Sequence, residues 1–134
     1  MAAAAALPPL PVAVAHPCSE AALRAAHEAA VQGLIRPILV GPLAKLEPLA
    51  AALGIDLGAY RVIDVPHSHA AAEVAVACVR AGEAEALMKG SLHTDELLEA
   101  VVDRETGLRT GRRLSHAFLM DVPAYPKLLM ITDA

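Results

Sequence analysis

The run Lys89-Gly90-Ser91-Leu92-His93-Thr94 puts a cation, a glycine, two hydroxyls and an imidazole side by side, and Asp95-Glu96 follow directly. Such donors suit an anion. Free backbone N–H groups and the positive end of a helix dipole favour negative charge, and Lys89 adds a full positive one. Asp95 and Glu96 argue the other way, because carboxylates in a first helical turn already complement the dipole and repel a second anion. Two readings of the turn stand together: a ligand site, or a helix start capped by Ser91 or Thr94.

His16, His67 and His69 each follow an expected strand, so they are candidates for acid–base work on the same rim as His93. Exposed histidines bonded to local carbonyls are the plainer reading, and His27 is assigned to solvent. Arg104, Arg109, Arg112 and Arg113 form the only cationic cluster of the sequence. This is either a solvated loop or a phosphate-recognising set of planar guanidinium groups, with Arg109 the preferred candidate. Cys18 and Cys78 have no Cys-x-x-Cys or histidine partner at zinc spacing, so both are read as reduced and structural, and no metal is expected. No Ser-His-Asp arrangement is defined by the spacing.

These residues need a scaffold that brings strand ends together. Val12–Ala15, Ile38–Val40, Val62–Val65 and Ala86–Met88 are short apolar runs of the kind buried in a sheet. Helical stretches separate them: one capped by Ser19, with Leu23, Ala26, Ala30 and Val31 on one face; one broken near Pro48; and Ala70–Ala81, with Ser68 as cap. A fourth runs through Leu97, Leu98, Val101 and Val102. Alternation of this kind predicts an α/β fold, a mostly parallel sheet with helices on both faces and right-handed crossovers. Ala117–Val122 and Lys127–Thr132 are separated only by Pro123-Ala124-Tyr125-Pro126, which predicts a C-terminal antiparallel hairpin.

The 134 residues make one domain at most. Residues 1–11, rich in alanine and proline, are expected to be a disordered tail or linker remnant, with 12–134 as the domain. Hydrophobic residues reach 56%, yet no apolar run approaches the roughly 18 residues of a membrane span. No signal-peptide pattern opens the chain, so a cytoplasmic protein is expected. A net charge of -4 and 2% aromatic residues weigh against nucleic acid, which demands a basic footprint and usually stacking rings. The dinucleotide fingerprint Gly-x-Gly-x-x-Gly is absent.

The sequence resembles the phosphate acetyltransferase and phosphate butyryltransferase family. The resemblance is carried by Met88 to Thr94, Gly107-Leu108-Arg109, Arg113-Leu114-Ser115-His116, Phe118 to Pro123 and Ile131 to Ala134. His16-Pro17, Pro37 to Pro42 and His67 to Ala72 agree with it. It is nearest to the form that follows a hydratase-like domain in bifunctional proteins. The resemblance implies acyl transfer between coenzyme A and phosphate, with the thiolate attacking an acyl phosphate carbonyl. Coenzyme A or acyl-CoA is then a substrate, and no tightly bound cofactor is implied. The implied fold is the first part of the isocitrate and isopropylmalate dehydrogenase fold, and the implied site residues are Lys89, Gly90, Ser91, His93, Thr94, Arg109, Ser115 and His116.

Members of that family run to more than twice this length, so the expectation is an incomplete, amino-terminal part. The absent half implies absent groups for thiol deprotonation and transition-state stabilisation. A homo-oligomer or a complementing second-half polypeptide is the implied partner. Glu99 stands in a region where acetyl-specific relatives tend to carry arginine, which leaves acetyl, butyryl or another short acyl chain open. A non-catalytic module binding acyl-CoA or acyl phosphate is the competing reading, and a dehydrogenase relative is a third, by fold analogy alone.

Overall fold

A computed structural model describes residues 6–110, 114–115 and 117–132, with Phe118 and Thr132 described by backbone alone. The elements run β1 (Leu10–Ala15), α1 (Glu20–Val31), β2 (Ile35–Gly41), α2 (Leu43–Leu53), a short 3-10 turn (Leu57–Ala59), β3 (Arg61–Asp64), α3 (Ser68–Arg80), β4 (Ala86–Lys89), α4 (Thr94–Val102), β5 (Ala117–Met120) and β6 (Leu129–Thr132). The first four strands form one sheet in the order β3-β2-β1-β4, and every neighbouring pair is parallel. Strands β5 and β6 form a separate antiparallel pair with Ala117 opposite Thr132 and Met120 opposite Leu129.

The central strand explains the helices on both sides. Val12 and Val14 point to one face, where Leu23 and Ala26 of α1 and Ala50 of α2 bury them together with Leu39. Ala13 and Ala15 point to the other, against Ala71, Ala72, Ala75 and Cys78 of α3 and Leu97 of α4. Alanine on both sides of that second interface lets helix and sheet approach closely, which gives the alanine-rich composition a packing role. β1 is buried from Val12 to Ala15, the pattern of a parallel strand covered on two faces.

Several expectations shift. β1 begins at Leu10, inside the stretch assigned to the tail, because Leu10 and Pro11 pair with Ile35 and Arg36. α2 passes through Pro48 unbroken: the side chain is on the exposed face, and the surrounding helix tolerates the lost hydrogen bond. Asp64 Oδ1 accepts from the Leu43 N–H at 2.9 Å and so caps α2 from the end of β3. Ser19 caps α1 as expected, accepting from Ala22 N–H, but Val31 is 71% exposed rather than on the buried face. α3 is capped by His67, whose Nδ1 accepts from Ala70 N–H at 3.1 Å, and not by Ser68. The hairpin strands are shorter than expected. His27 is half-buried and bonded through Nδ1 to the Tyr60 hydroxyl, with the rings edge to face, so it is not a solvent residue.

Burial raises the pKa of both Cys18 and Cys78; Lys45 pulls the Cys18 thiol part of the way back, while Glu83 pushes the Cys78 thiol further up. A thiol whose folded-state pKa lies above its unfolded value contributes stability below the unfolded pKa and loses it as pH rises through the folded one. Denaturant melts from pH 7 upward should therefore show stability falling above about pH 8.5, where unfolded thiols ionise. The fall should be shallower in a Cys18→Ala, Cys78→Ala double variant. In the same assay at pH 7, Leu39→Ala, which empties a buried position between β2 and the helices, is expected to cost about 2–5 kcal/mol.

Candidate functional site

The sheet order reverses at β1: the chain leaves it toward β2 and β3, then crosses over to place β4 on its other edge. Crevices outside the carboxyl ends of strands at such a point are where open α/β sheets hold ligands. Here the two strand ends are locked together. Gly90 N–H donates to Ala15 O at 2.8 Å and Ser91 N–H to His16 O at 2.7 Å, continuing the β1–β4 ladder past both strands. The Ser91 hydroxyl donates to His16 O at 2.9 Å and accepts from Cys18 N–H at 3.1 Å. Gly90 is obligatory, since a Cβ there would stand 2.4 Å from both Ala15 O and His16 O.

His16 answers this crowding with an unusual backbone. Its φ is 57°, a left-handed conformation rare outside glycine, and it is the only such non-glycine residue among those described. The side chain is 8% exposed, with Nδ1 3.0 Å from Ser91 O. A carbonyl only accepts, so Nδ1 carries the proton and Nε2 presents a lone pair in the neutral ring. No described group bonds to Nε2.

A groove of about 430 Å³ opens beside this lock, lined by His16, Ser68, Ser91, Leu92, His93 and Glu96. His93 is the N-cap of α4 but makes no side-chain cap, and the first helical bond is Leu97 N–H to His93 O. Among the described residues, no acceptor meets the N–H groups of Thr94, Asp95 and Glu96. Glu96 Oε2 is shielded from solvent and has no hydrogen-bond partner among the described residues.

Of the residues expected from sequence, Ser91 and His93 line the groove, Gly90 packs against the backbone of Ala15 and His16, Lys89 ends β4 and Thr94 opens α4. Arg109 lies elsewhere: Leu108 N–H bonds to Val101 O at the far end of α4, a helix of nine residues spanning about 13 Å. Ser115 is exposed ahead of β5, and His116, Arg112 and Arg113 lie outside the described residues. His67 and His69 are exposed and occupied locally, His69 pairing with Glu73. Ser68 and Glu96 were missed because a cap reading and a charge argument absorbed them; the His16-Pro17 step after a strand was the one signal for His16.

No model of a protein family matches the chain. Individual proteins do. A phosphate acetyltransferase of Rhizobium meliloti is 58% identical over 134 residues, covering all of this chain and 42% of that protein. A phosphate acetyltransferase of Rickettsia felis is 52% identical over 94% of this chain and 36% of its own. A phosphate butyryltransferase of Clostridium beijerinckii is 37% identical over 96% and 42%. The chain belongs to the phosphate acetyltransferase and phosphate butyryltransferase family. It spans less than half the length of these relatives. Among solved structures, a phosphotransacetylase from Streptococcus pyogenes matches with TM-score 0.70 at 16% identity, over 91% of this chain and 46% of that one. A branched-chain phosphotransacylase from Enterococcus faecalis matches with TM-score 0.65 at 20% identity, over 92% and 42%. These two likenesses establish the shared fold.

Substituting Gly90→Ala should destabilise this family member by about 1–3 kcal/mol in a denaturant melt, because the added methyl meets two backbone carbonyls that cannot swing aside. Ser91→Ala should cost less, about 1 kcal/mol, since His16 O and Cys18 N–H keep their bond to each other.

Proposed function

We propose that the chain is the amino-terminal part of a phosphate acyltransferase that exchanges an acyl group between coenzyme A and inorganic phosphate. The observation that carries this is 58% identity to a phosphate acetyltransferase through the whole chain. In the proposed reaction the coenzyme A thiolate attacks the carbonyl carbon of an acyl phosphate, a C–S bond forms, and the C–O bond to phosphate breaks. The phosphate leaves with the bonding pair, and the reverse direction regenerates it. Acetyl and butyryl are the acyl groups named by the relatives. Coenzyme A enters as a substrate, and the turn from Lys89 to Thr94 is assigned to the phosphate end of the ligand. Kinship with the isocitrate and isopropylmalate dehydrogenase fold belongs to the same proposal and is supported by the parallel sheet.

Arg109, Ser115 and His116 retain their assignment to the substrate only if further polypeptide brings their loop to the groove. The β5–β6 pair is the place where such polypeptide would pack. Leu119, Met120, Met130 and Ile131 are all exposed there, on a two-stranded unit that joins no larger sheet. Two strands alone are marginal in water. A binding module for acyl-CoA or acyl phosphate is the second reading, favoured by a groove lined by hydroxyl and imidazole groups.

The test is consumption of coenzyme A thiol with acetyl or butyryl phosphate. The chain alone should be inactive, and adding the remaining portion of the R. meliloti relative as a separate polypeptide should restore turnover. Ser91→Ala with Thr94→Ala should lower the restored rate about 100-fold, Thr94 as a lost transition-state donor and Ser91 as the lost strut that positions His16. Leu119→Ser with Met130→Ser should weaken the complementation and reduce self-association in sedimentation. Turnover by the isolated chain would refute the division of the site.

A further inference from the structure

We propose that a second groove, at the amino ends of β2 and β3, binds a short aliphatic monocarboxylate whose charge meets Arg36 and Arg61. This groove of about 320 Å³ lies at the opposite end of the sheet from the Ser91 groove, separated along β2 by the stretch from Arg36 to Gly41, about 17 Å of strand. Its volume is at the small end of ligand pockets, which run from about 300 to 1,000 Å³. Arg36 and Ile38 are two positions apart on β2, and Ile38 pairs with Arg61 on β3, so the three share one face of the sheet. Two guanidinium groups thus stand beside a buried apolar side chain in one concavity.

The walls are fixed by contacts of their own. Tyr60 stands edge to face against the His27 ring with its hydroxyl already bonded to His27 Nδ1, so the ring is the part it offers to the groove. Just past α3, Glu83 N–H donates to Cys78 O at 2.9 Å, and the Glu83 carboxylate pairs with Arg61 at 3.4 Å. Arg36 makes no hydrogen bond or ion pair with any described residue. Two guanidinium groups against one carboxylate leave the groove a single positive charge, and that balance selects a ligand with one negative charge. A phosphate dianion brings one too many and meets Glu83 with like sign. A carboxylate instead matches the planar fork of Arg36 with two parallel N–H···O bonds. It also relieves the repulsion between the two guanidinium groups, which Glu83 offsets for Arg61 alone. Pro37, Ile38 and the Tyr60 ring provide apolar surface for an alkyl chain, so the class is a short aliphatic carboxylate and not a bare inorganic anion.

The experiment titrates butyrate, acetate and inorganic phosphate into the purified chain at pH 7.5 and follows the backbone amide resonances. Butyrate should shift Arg36, Ile38, Arg61 and Glu83, with a Kd on the order of 1 mM, the affinity so small a ligand can carry. Acetate, two methylenes shorter, should bind about fivefold more weakly. Inorganic phosphate should bind at least about tenfold more weakly than butyrate at these amides. Arg36→Gln should lower butyrate affinity at least about tenfold, and Arg36→Lys, which keeps the charge without the fork, should recover part of the loss. Arg24→Gln on α1, remote from the groove, should change nothing. Glu83→Gln removes the opposing charge and should bring phosphate within about threefold of butyrate. Circular dichroism confirms that each variant is folded. Butyrate shifts confined to Ser91 and His93, phosphate binding as tight as butyrate in the unsubstituted chain, or full affinity in both Arg36 variants would overturn the inference. The two grooves lie at opposite ends of the sheet, so failure here leaves the acyltransferase reading standing, and failed complementation leaves this site standing.

Discussion

The approach of two backbones at the carboxyl ends of β1 and β4 is the constraint on which the site depends. Gly90 lies so close to Ala15 O and His16 O that no side chain fits between them. That closeness lets the Ser91 N–H and hydroxyl both reach His16 O, which also receives Cys18 N–H at 2.8 Å. A carbonyl with three donors is held firmly, and it in turn holds the peptide that gives His16 its positive φ. Strain of this sort persists only where surrounding bonds over-determine it. The imidazole is thereby positioned by backbone geometry, and Ser91 acts as a strut whose hydroxyl is already engaged.

Packing on the two faces of the sheet makes this meeting point possible. Ala13 and Ala15 against the alanines of α3 allow one layer to sit close, whereas Val12, Val14, Leu23 and Leu39 fill a deeper layer under α1 and α2. Because β1 is central and its neighbours arise from opposite directions of winding, the loops after β1 and β4 diverge. The groove is the space left by that divergence, and α4 presents its amino end to it.

The β5–β6 pair has a different physical status. Its apolar side chains face outward, among them Leu119 at 67% exposure and Met130 at 72%, and its edges are not covered by the four-stranded sheet. Exposed apolar side chains gathered on one small unit set it apart from the four-stranded sheet, whose apolar side chains are buried under helices. The relatives are more than twice as long as the stretch they share with this chain, so they have polypeptide to place there.

The sequence alone determined the elements and their order. Unbroken apolar runs, turn residues and helix periodicity are local signals, and they identified four strands, their helices and the hairpin, while the motif from Met88 to Thr94 identified the family. Local signals failed where a distant group replaced a nearby one. Asp64 caps α2 from across a strand end, His67 displaces Ser68 as the cap of α3, and Tyr60 claims His27 from a separate loop. The partners of Ser91 followed the same rule: as a residue near a helix start it read as a cap, yet its hydroxyl bonds to His16 and Cys18, more than seventy positions away in sequence. Only the tertiary structure decided that His16 and Glu96 share a groove while Arg109 stands at the other end of α4. Spacing along a chain sets which residues lie on one element, but which strand ends become neighbours depends on the crossover that carries β4 past β1.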